Sequence, residues 1–248
     1  MGKRTLGVER ERFILRSGEI VPSIDKLLPE LHRFCGERGL PLDLFGYELF
    51  AGQVEDRTRP TESVDGIMIA LDENDQTLRE VGDCLGLQFR CIEYVTEEEL
   101  GELVVNGFSE RHKQIWSAIP HARKVAASQV AAIHVHVSVT PGEAVQVLNH
   151  CRIDVIDELA KLGDFSGGKR LAAYRTMAET DGVPPKFSDP VGLMSYIKTK
   201  GGERNVWDLV RYKPLTGTVE FRMFGTTESQ MAIRSCVEET HILVEAIC

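Results

Sequence analysis

Residues 132–139 read Ala-Ile-His-Val-His-Val-Ser-Val, and this alternation constrains the chain more than any other stretch. Side chains two apart in a strand point to the same face. Ile133, Val135, Val137 and Val139 therefore form a β-branched stripe suited to burial, while His134 and His136 project together from the other face. A lone strand histidine usually does no more than hydrogen-bond. Two at this spacing beside a purely aliphatic stripe point to a site.

The same design recurs three times. Val219, Phe221 and Met223 alternate with Glu220 and Arg222. Near the N-terminus Glu9 and Glu11 share a face with Gly7, while Leu6, Val8 and Ile14 take the other; Arg10 and Arg12 interrupt that apolar side. In 52–59, Gln53, Glu55, Arg57 and Arg59 lie on one side, a pattern that alone reads as a solvated edge. If the four faces converge, Glu9, Glu11, Glu55 and Glu220 crowd one cavity. Two carboxylates about 4 Å apart repel by about 4 kcal/mol at an effective dielectric of about 20. Several such pairs rival the ~5–15 kcal/mol stability of a whole domain, so cations are required. Carboxylates dominate and no cysteine accompanies the histidines, which favours Mg²⁺ or Mn²⁺ over zinc. Divalent ions facing arginines would suit a triphosphate.

The wider sequence agrees with an ordinary globular chain. Its 248 residues are 42% hydrophobic and 27% charged, enough for a core without staples. The balance of 29 Lys+Arg against 38 Asp+Glu, a net −9, disfavours nucleic acid and anionic membranes as partners. No apolar run approaches the roughly 18 residues of a membrane span, and Met1-Gly2-Lys3-Arg4 lacks an apolar leader core, so a cytoplasmic protein is expected. Six cysteines without a CxxC pair read as reduced thiols. There is no GxGxxG or GxxxxGK[ST]; Gly167-Gly168-Lys169-Arg170 lacks the upstream glycine and the Ser/Thr.

Periodicity predicts strands at 5–15, 87–94, 130–140, 205–213 and 217–225, with extended segments at 42–50 and 52–59. It predicts helices at 23–38, 62–85 (one or a pair), 143–162, 189–199 and 228 to the end, with helical pattern through 96–128. The stretch from 163 to Pro185 reads as irregular and Gly-rich. Strands that adjoin without a helical crossover imply an α+β fold: a mainly antiparallel curved sheet with helices packed on one face, forming one domain over 1–248.

Taken in order, Gly7-Val8-Glu9-Arg10-Glu11, Gln53-Val54-Glu55, Ile133-His134-Val135-His136-Val137 and Thr218-Val219-Glu220-Phe221-Arg222 resemble the motifs of the type 2 glutamate–cysteine ligase family. The catalytic domain of that family is similar to that of glutamine synthetase. Val147-Leu148-Asn149, Ala173-Tyr174-Arg175, Gly182-Val183-Pro184-Pro185-Lys186-Phe187, Trp207-Asp208 and Val210-Arg211 extend the resemblance over most of the chain.

The resemblance implies an ATP-dependent carboxylate–amine ligase that uses Mg²⁺ or Mn²⁺. A substrate carboxylate, glutamate by default, takes the γ-phosphate, and an amine attacks the acyl phosphate. It places Glu9, Glu11, Glu55, His134 and Glu220 at metal-ligand positions and His136 near the nucleotide phosphates. Arg222 would face the transferred phosphoryl group, with Arg175 and Arg211 as further phosphate or substrate contacts. Arg57 and Arg59 join the nucleotide-binding set by strand parity alone, as does any metal role for Glu48. Relative to the family the chain is expected to be short at its C-terminus and around Asp164–Lys169, which leaves acid and amine specificity open. A homo-oligomer, a partner that completes the site, and a non-catalytic binding subunit of the same fold also stay open. A cupin would need a glutamate where Thr140 and Pro141 stand, and an amidohydrolase barrel would carry His-x-His on its first strand, so both recede.

Overall fold

The computed structural model describes residues 4–248; Met1–Lys3, which begin the N-terminal stretch read for a leader, lie outside the described residues. Along the chain run β1 (Leu6–Arg16), β2 (Glu19–Ile20), α1 (Ile24–Glu37), β3 (Phe45–Tyr47), β4 (Gln53–Arg57), α2 (Val64–Leu85) and β5 (Gln88–Arg90). Then come α3 (Glu110–Ala118), α4 (His121–Ser128), β6 (Ala132–Ser138), α5 (Pro141–His150), α6 (Ile153–Ala160) and α7 (Lys169–Ala178). α8 (Pro190–Thr199), β7 (Val210–Lys213), β8 (Thr218–Gly225) and α9 (Gln230–Ile247) complete the chain.

The strands form one sheet in the order β3-β4-β1-β6-β8-β7, with β2 and β5 attached to β1. Every pairing is antiparallel. The alternation seen in the sequence sorts the two faces. Leu6 and Val8 of β1, Ile133, Val135 and Val137 of β6, and Val219, Phe221 and Met223 of β8 belong to one buried cluster. Against them pack Ile67 and Leu71 of α2, Val147 and Leu148 of α5, Ile156 of α6, and Ile233 and Val237 of α9. Each such side chain, fully buried, contributes about 1.5–3 kcal/mol relative to exposure. A second cluster packs Leu27, Leu31 and Cys35 of α1 against Phe45, Val54 and the far end of α2 at Leu78 and Val81.

Arg10 and Arg12 do lie on this helix-covered face, and the structure shows why the sequence tolerates them. Arg10 grips Asp56 through Nε at 3.2 Å and Nη2 at 3.0 Å, and reaches Asp75 of α2 at 2.6 Å. Arg12 donates to Asp56 at 3.0 Å and also bonds Asp75, while Asn74 donates to Asp56 at 3.2 Å. Burial alone would raise the Asp56 carboxyl, but the guanidiniums of Arg10 and Arg12 hold it below its ordinary value.

Three expectations need correction. The helix expected over 143–162 is two, because Arg152 turns extended (φ −89°, ψ 178°) and its guanidinium donates to the Pro184 carbonyl at 2.6 Å. The stretch 96–128 is helical only as a short 3-10 turn at Glu97–Glu99 and in α3 and α4. α7 occupies what reads as loop: Gly167 and Gly168, both at positive φ, introduce it, and its buried residues Arg170, Leu171 and Tyr174 form no simple apolar stripe. Helices also touch the other face of the sheet. Val125 of α4 joins Phe13, Phe50 and Leu100 in a cluster that caps that face at the far end of β1.

Candidate active site

On the face opposite the main helical layer, strand register assembles the polar side chains. Glu9 stands between Arg57 of β4 and His134 of β6; Glu11 stands opposite Glu55. His136 stands between Gly7 of β1 and Glu220 of β8, and Glu220 is opposite Arg211 of β7. Gly46 of β3 lies opposite Glu55, and a Cβ there would sit 2.7 Å from Arg57 Nη2, so a side chain at this position would push that guanidinium aside. The β6–β8 register slips between Ile133 and Val135, which pair with Phe224 and Phe221, a bulge in β8 at Arg222 and Met223. Arg170 of α7, 2% exposed, clamps this bulge by donating to the carbonyls of Arg222 and Met223.

The resulting distances are short. His134 Nδ1 lies 3.4 Å from Glu9 Oε2 and 3.6 Å from Glu220 Oε1, and its Nε2 lies 3.7 Å from Glu11 Oε1. His136 Nε2 lies 3.5 Å from Glu9 Oε2, buried and without a hydrogen-bond partner. Arg211 forks onto Glu220 at 2.5 and 3.1 Å, and Arg222 bonds the same carboxylate. Arg57 pairs with Glu55 and lies 3.9 Å from Glu9.

Three overlapping triads place donor atoms within 4.8 Å of one another: Glu9, Glu55 and His134; Glu9, His136 and Glu220; Glu11, Glu48 and Glu55. The carboxylates split electrostatically. Burial works against Glu9 and Glu220 as anions, yet the histidines with Lys213 hold Glu9 low, and Arg211 with Arg222 holds Glu220 low. Burial and the neighbouring acids instead push Glu11 and Glu48 up to about 8, and Glu55 also well above its usual value. Burial and Arg222 push His134 down to about 3, leaving a neutral imidazole able to bind a cation. Oxygen-rich groups supplemented by neutral imidazole, with an orphaned buried nitrogen among them, fit hard divalent cations.

A cavity of about 740 Å³ opens on this face, lined by Glu9, Glu48, Glu55, His134, Arg57, Arg211, Lys213 and Arg222 together with Tyr47, Arg111, His112 and Trp207. Of the residues singled out in the sequence, Glu9, Glu11, Glu55, His134, His136, Glu220, Arg222, Arg211 and Arg57 converge here. Two do not. Arg59 lies exposed beyond the end of β4 and does not line the cavity. Arg175, on α7, donates to the Asp181 carbonyl at 3.1 Å and lies 3.6 Å from Asp157, away from the lining.

Sequence reasoning overlooked others. Lys213 shares the face of Arg211 two residues away, a parity signal that was readable. Glu48, raised from strand parity as a metal ligand, sits in the β3–β4 connection and shares a triad with Glu11 and Glu55. Its carbonyl accepts from Asn106 Nδ2 at 2.7 Å, and the same amide lies 2.7 Å from His112 Nδ1. Asn106 thus ties α3 to the connection that carries Glu48. Arg111 and His112 reach the cavity from a distant helix and left no local signal.

Residues 5–155, well over half of the chain, match the sequence profile of glutamate-cysteine ligase family 2. No curated protein matches the chain. Among solved structures the fold resembles a bifunctional glutathione synthetase from Pasteurella multocida, with a TM-score of 0.63 and 13% identity over 99% of this chain. A glutamate–cysteine ligase from Francisella tularensis in complex with AMP aligns over 64% of this chain with a TM-score of 0.46 and 16% identity. The chain spans 38% of the first of these proteins and 34% of the second. With its profile match covering β1 to β6 and the start of α6, this chain belongs to glutamate-cysteine ligase family 2.

Proposed function

We propose that the protein is an ATP-dependent carboxylate–amine ligase. One observation carries the reading: five strands and the β3–β4 connection bring five carboxylates, two histidines, three guanidiniums and one ammonium group to one site, in three overlapping donor triads. Family membership and the fold support it. Glu9, Glu11, Glu48, Glu55, His134, His136 and Glu220 would hold Mg²⁺ or Mn²⁺, which when bound supplies Lewis-acid polarisation of phosphoryl oxygens.

The chain's own residues divide the remaining work. Arg222 and Arg211, fixed against Glu220, face the cavity with donors placed for the anionic oxygens of the γ-phosphoryl group. A substrate carboxylate oxygen attacks phosphorus, the bond to the β-phosphate oxygen breaks, and ADP leaves. The amine nitrogen then attacks the activated carbonyl carbon, loses a proton, and phosphate departs with both electrons of the acyl–oxygen bond. Glutamate is the default acid. Arg57 takes a phosphate-facing role beside Glu55 and Glu9. Arg59 and Arg175, which do not line the cavity, are assigned no contact with the reacting groups.

Purified protein with Mg²⁺, ATP and a panel of amino acids and amines is expected to release ADP and phosphate with an amide product, read by mass. Release of AMP and pyrophosphate would contradict the acyl-phosphate route.

A further inference from the structure

The four cations at the cavity floor are not equally held. Arg211 is fixed from three sides: the fork onto Glu220, and Nη1 donating to the carbonyls of Val206 at 2.8 Å and Glu203 at 3.4 Å. Arg222 bonds Glu220 and lies over the Tyr174 ring, 6.0 Å from its centroid. Arg57 pairs with Glu55 and reaches the Asp43 carbonyl at 3.4 Å. Lys213 differs. Its ammonium lies 3.7 Å from Glu9 Oε1 and 3.9 Å from Glu220 Oε2, and among the described residues it makes no hydrogen bond. The backbone below it is firm, because the Lys213 carbonyl accepts from the amides of Thr216 and Gly217 in the turn between β7 and β8. A flexible four-carbon stem therefore carries a point charge from a fixed base.

Glu9 and Glu220, together with His136, form one of the candidate metal triads. Lys213 thus touches both carboxylates of a single triad, and its side chain is only 16% exposed, so solvent screens the charge weakly. We propose that Lys213 is the resident counter-cation of the Glu9–His136–Glu220 triad: it stabilises the metal-free site and competes with a divalent ion for the same two carboxylates. The inference rests on the reading of that triad as a cation site. Like charges a few ångströms apart repel strongly in a buried setting, so the ammonium must withdraw when a divalent cation arrives. It is then left without a carboxylate partner beside the cavity, free to pair with an anionic oxygen of the substrate.

The competition has two signatures that a merely structural lysine would not give. Full-length protein stripped of metal is titrated with Mn²⁺ by calorimetry, and its thermal unfolding is followed with chelator and with saturating Mn²⁺. Lys213→Gln is expected to bind Mn²⁺ at least tenfold more tightly than the wild type. Its midpoint should fall below wild type in chelator, and the gap should close with Mn²⁺. Lys213→Arg, which keeps the charge, should bind Mn²⁺ within threefold of wild type. Unchanged or weaker Mn²⁺ binding by Lys213→Gln, with the same loss of midpoint in both conditions, would overturn the role of Lys213 and leave the site intact. Absence of Mn²⁺ binding by the wild type would overturn the site reading along with it.

Discussion

Glu55 and Asp56 are neighbours in β4, yet they face opposite sides of the sheet and opposite kinds of company. Asp56, fully buried, lies between Arg10 and Arg12 and accepts from Asn74 as well. Glu55, 3% exposed, has one guanidinium, Arg57, but shares its space with the carboxylates of Glu9, Glu11 and Glu48. On the helix side Asp56 meets cations and its carboxyl group is held low. On the cavity side acids meet acids and three carboxyls are pushed up. Balanced buried charge is a structural device. Crowded like charge costs stability, and the proposed cation site is what would offset that cost.

The contrast breaks most visibly at Asp56. Asp56→Asn leaves two buried guanidiniums short of a partner and should lower unfolding free energy by about 3–5 kcal/mol, measured by denaturant titration. Because the folded-state carboxyl is depressed, its contribution is complete above the ordinary value of 3.8 and is lost only as pH falls through the lower folded value. The gap between wild type and variant should therefore stay constant from neutral pH down to about 3.8 and narrow as pH falls from there through the lower folded value.

A substitution on the other face should act with the opposite sign. Glu11 accepts the Ala132 amide at 2.7 Å, a bond that glutamine can preserve while removing charge. Glu11→Gln should stabilise the metal-free protein by about 1–2 kcal/mol and weaken divalent-cation binding. A loss of stability like that at Asp56 would erase the distinction between the faces. The smallest effect belongs to Arg175, whose guanidinium is engaged with Asp181 and Asp157 outside the cavity. Arg175→Ala should change turnover less than threefold in a steady-state assay; a larger loss would extend the site to α7.

Much of this was legible in the chain because strand parity is a rigid rule. Glu9, Glu11, Glu55, His134, His136, Glu220 and Arg222 sort to one face by counting in twos, and the aliphatic partners of each strand sort to the other. What parity left unsolved is non-local. Arg10 and Arg12 look like flaws in the apolar side of β1 until Asp75 arrives from α2. Asn106 and His112 are brought to the connection that carries Glu48 by tertiary packing. α7 was hidden because two glycines precede it and Arg170, a charged residue, is one of its buried side chains. Its role in holding the β8 bulge appears only when the carbonyls of Arg222 and Met223 are seen to meet it.

The central claim is that one face of this sheet is built for divalent cations and the other for its own stability, and adjacent residues of β4 separate the two. Calorimetric titration of Mn²⁺ into Glu55→Gln and Asp56→Asn, each folded under the conditions used, is the direct test. Glu55→Gln should bind at least tenfold more weakly than wild type, about 1.4 kcal/mol or more, while Asp56→Asn keeps wild-type affinity despite its lower stability. Equal losses in both variants, or a loss confined to Asp56→Asn, would contradict the account.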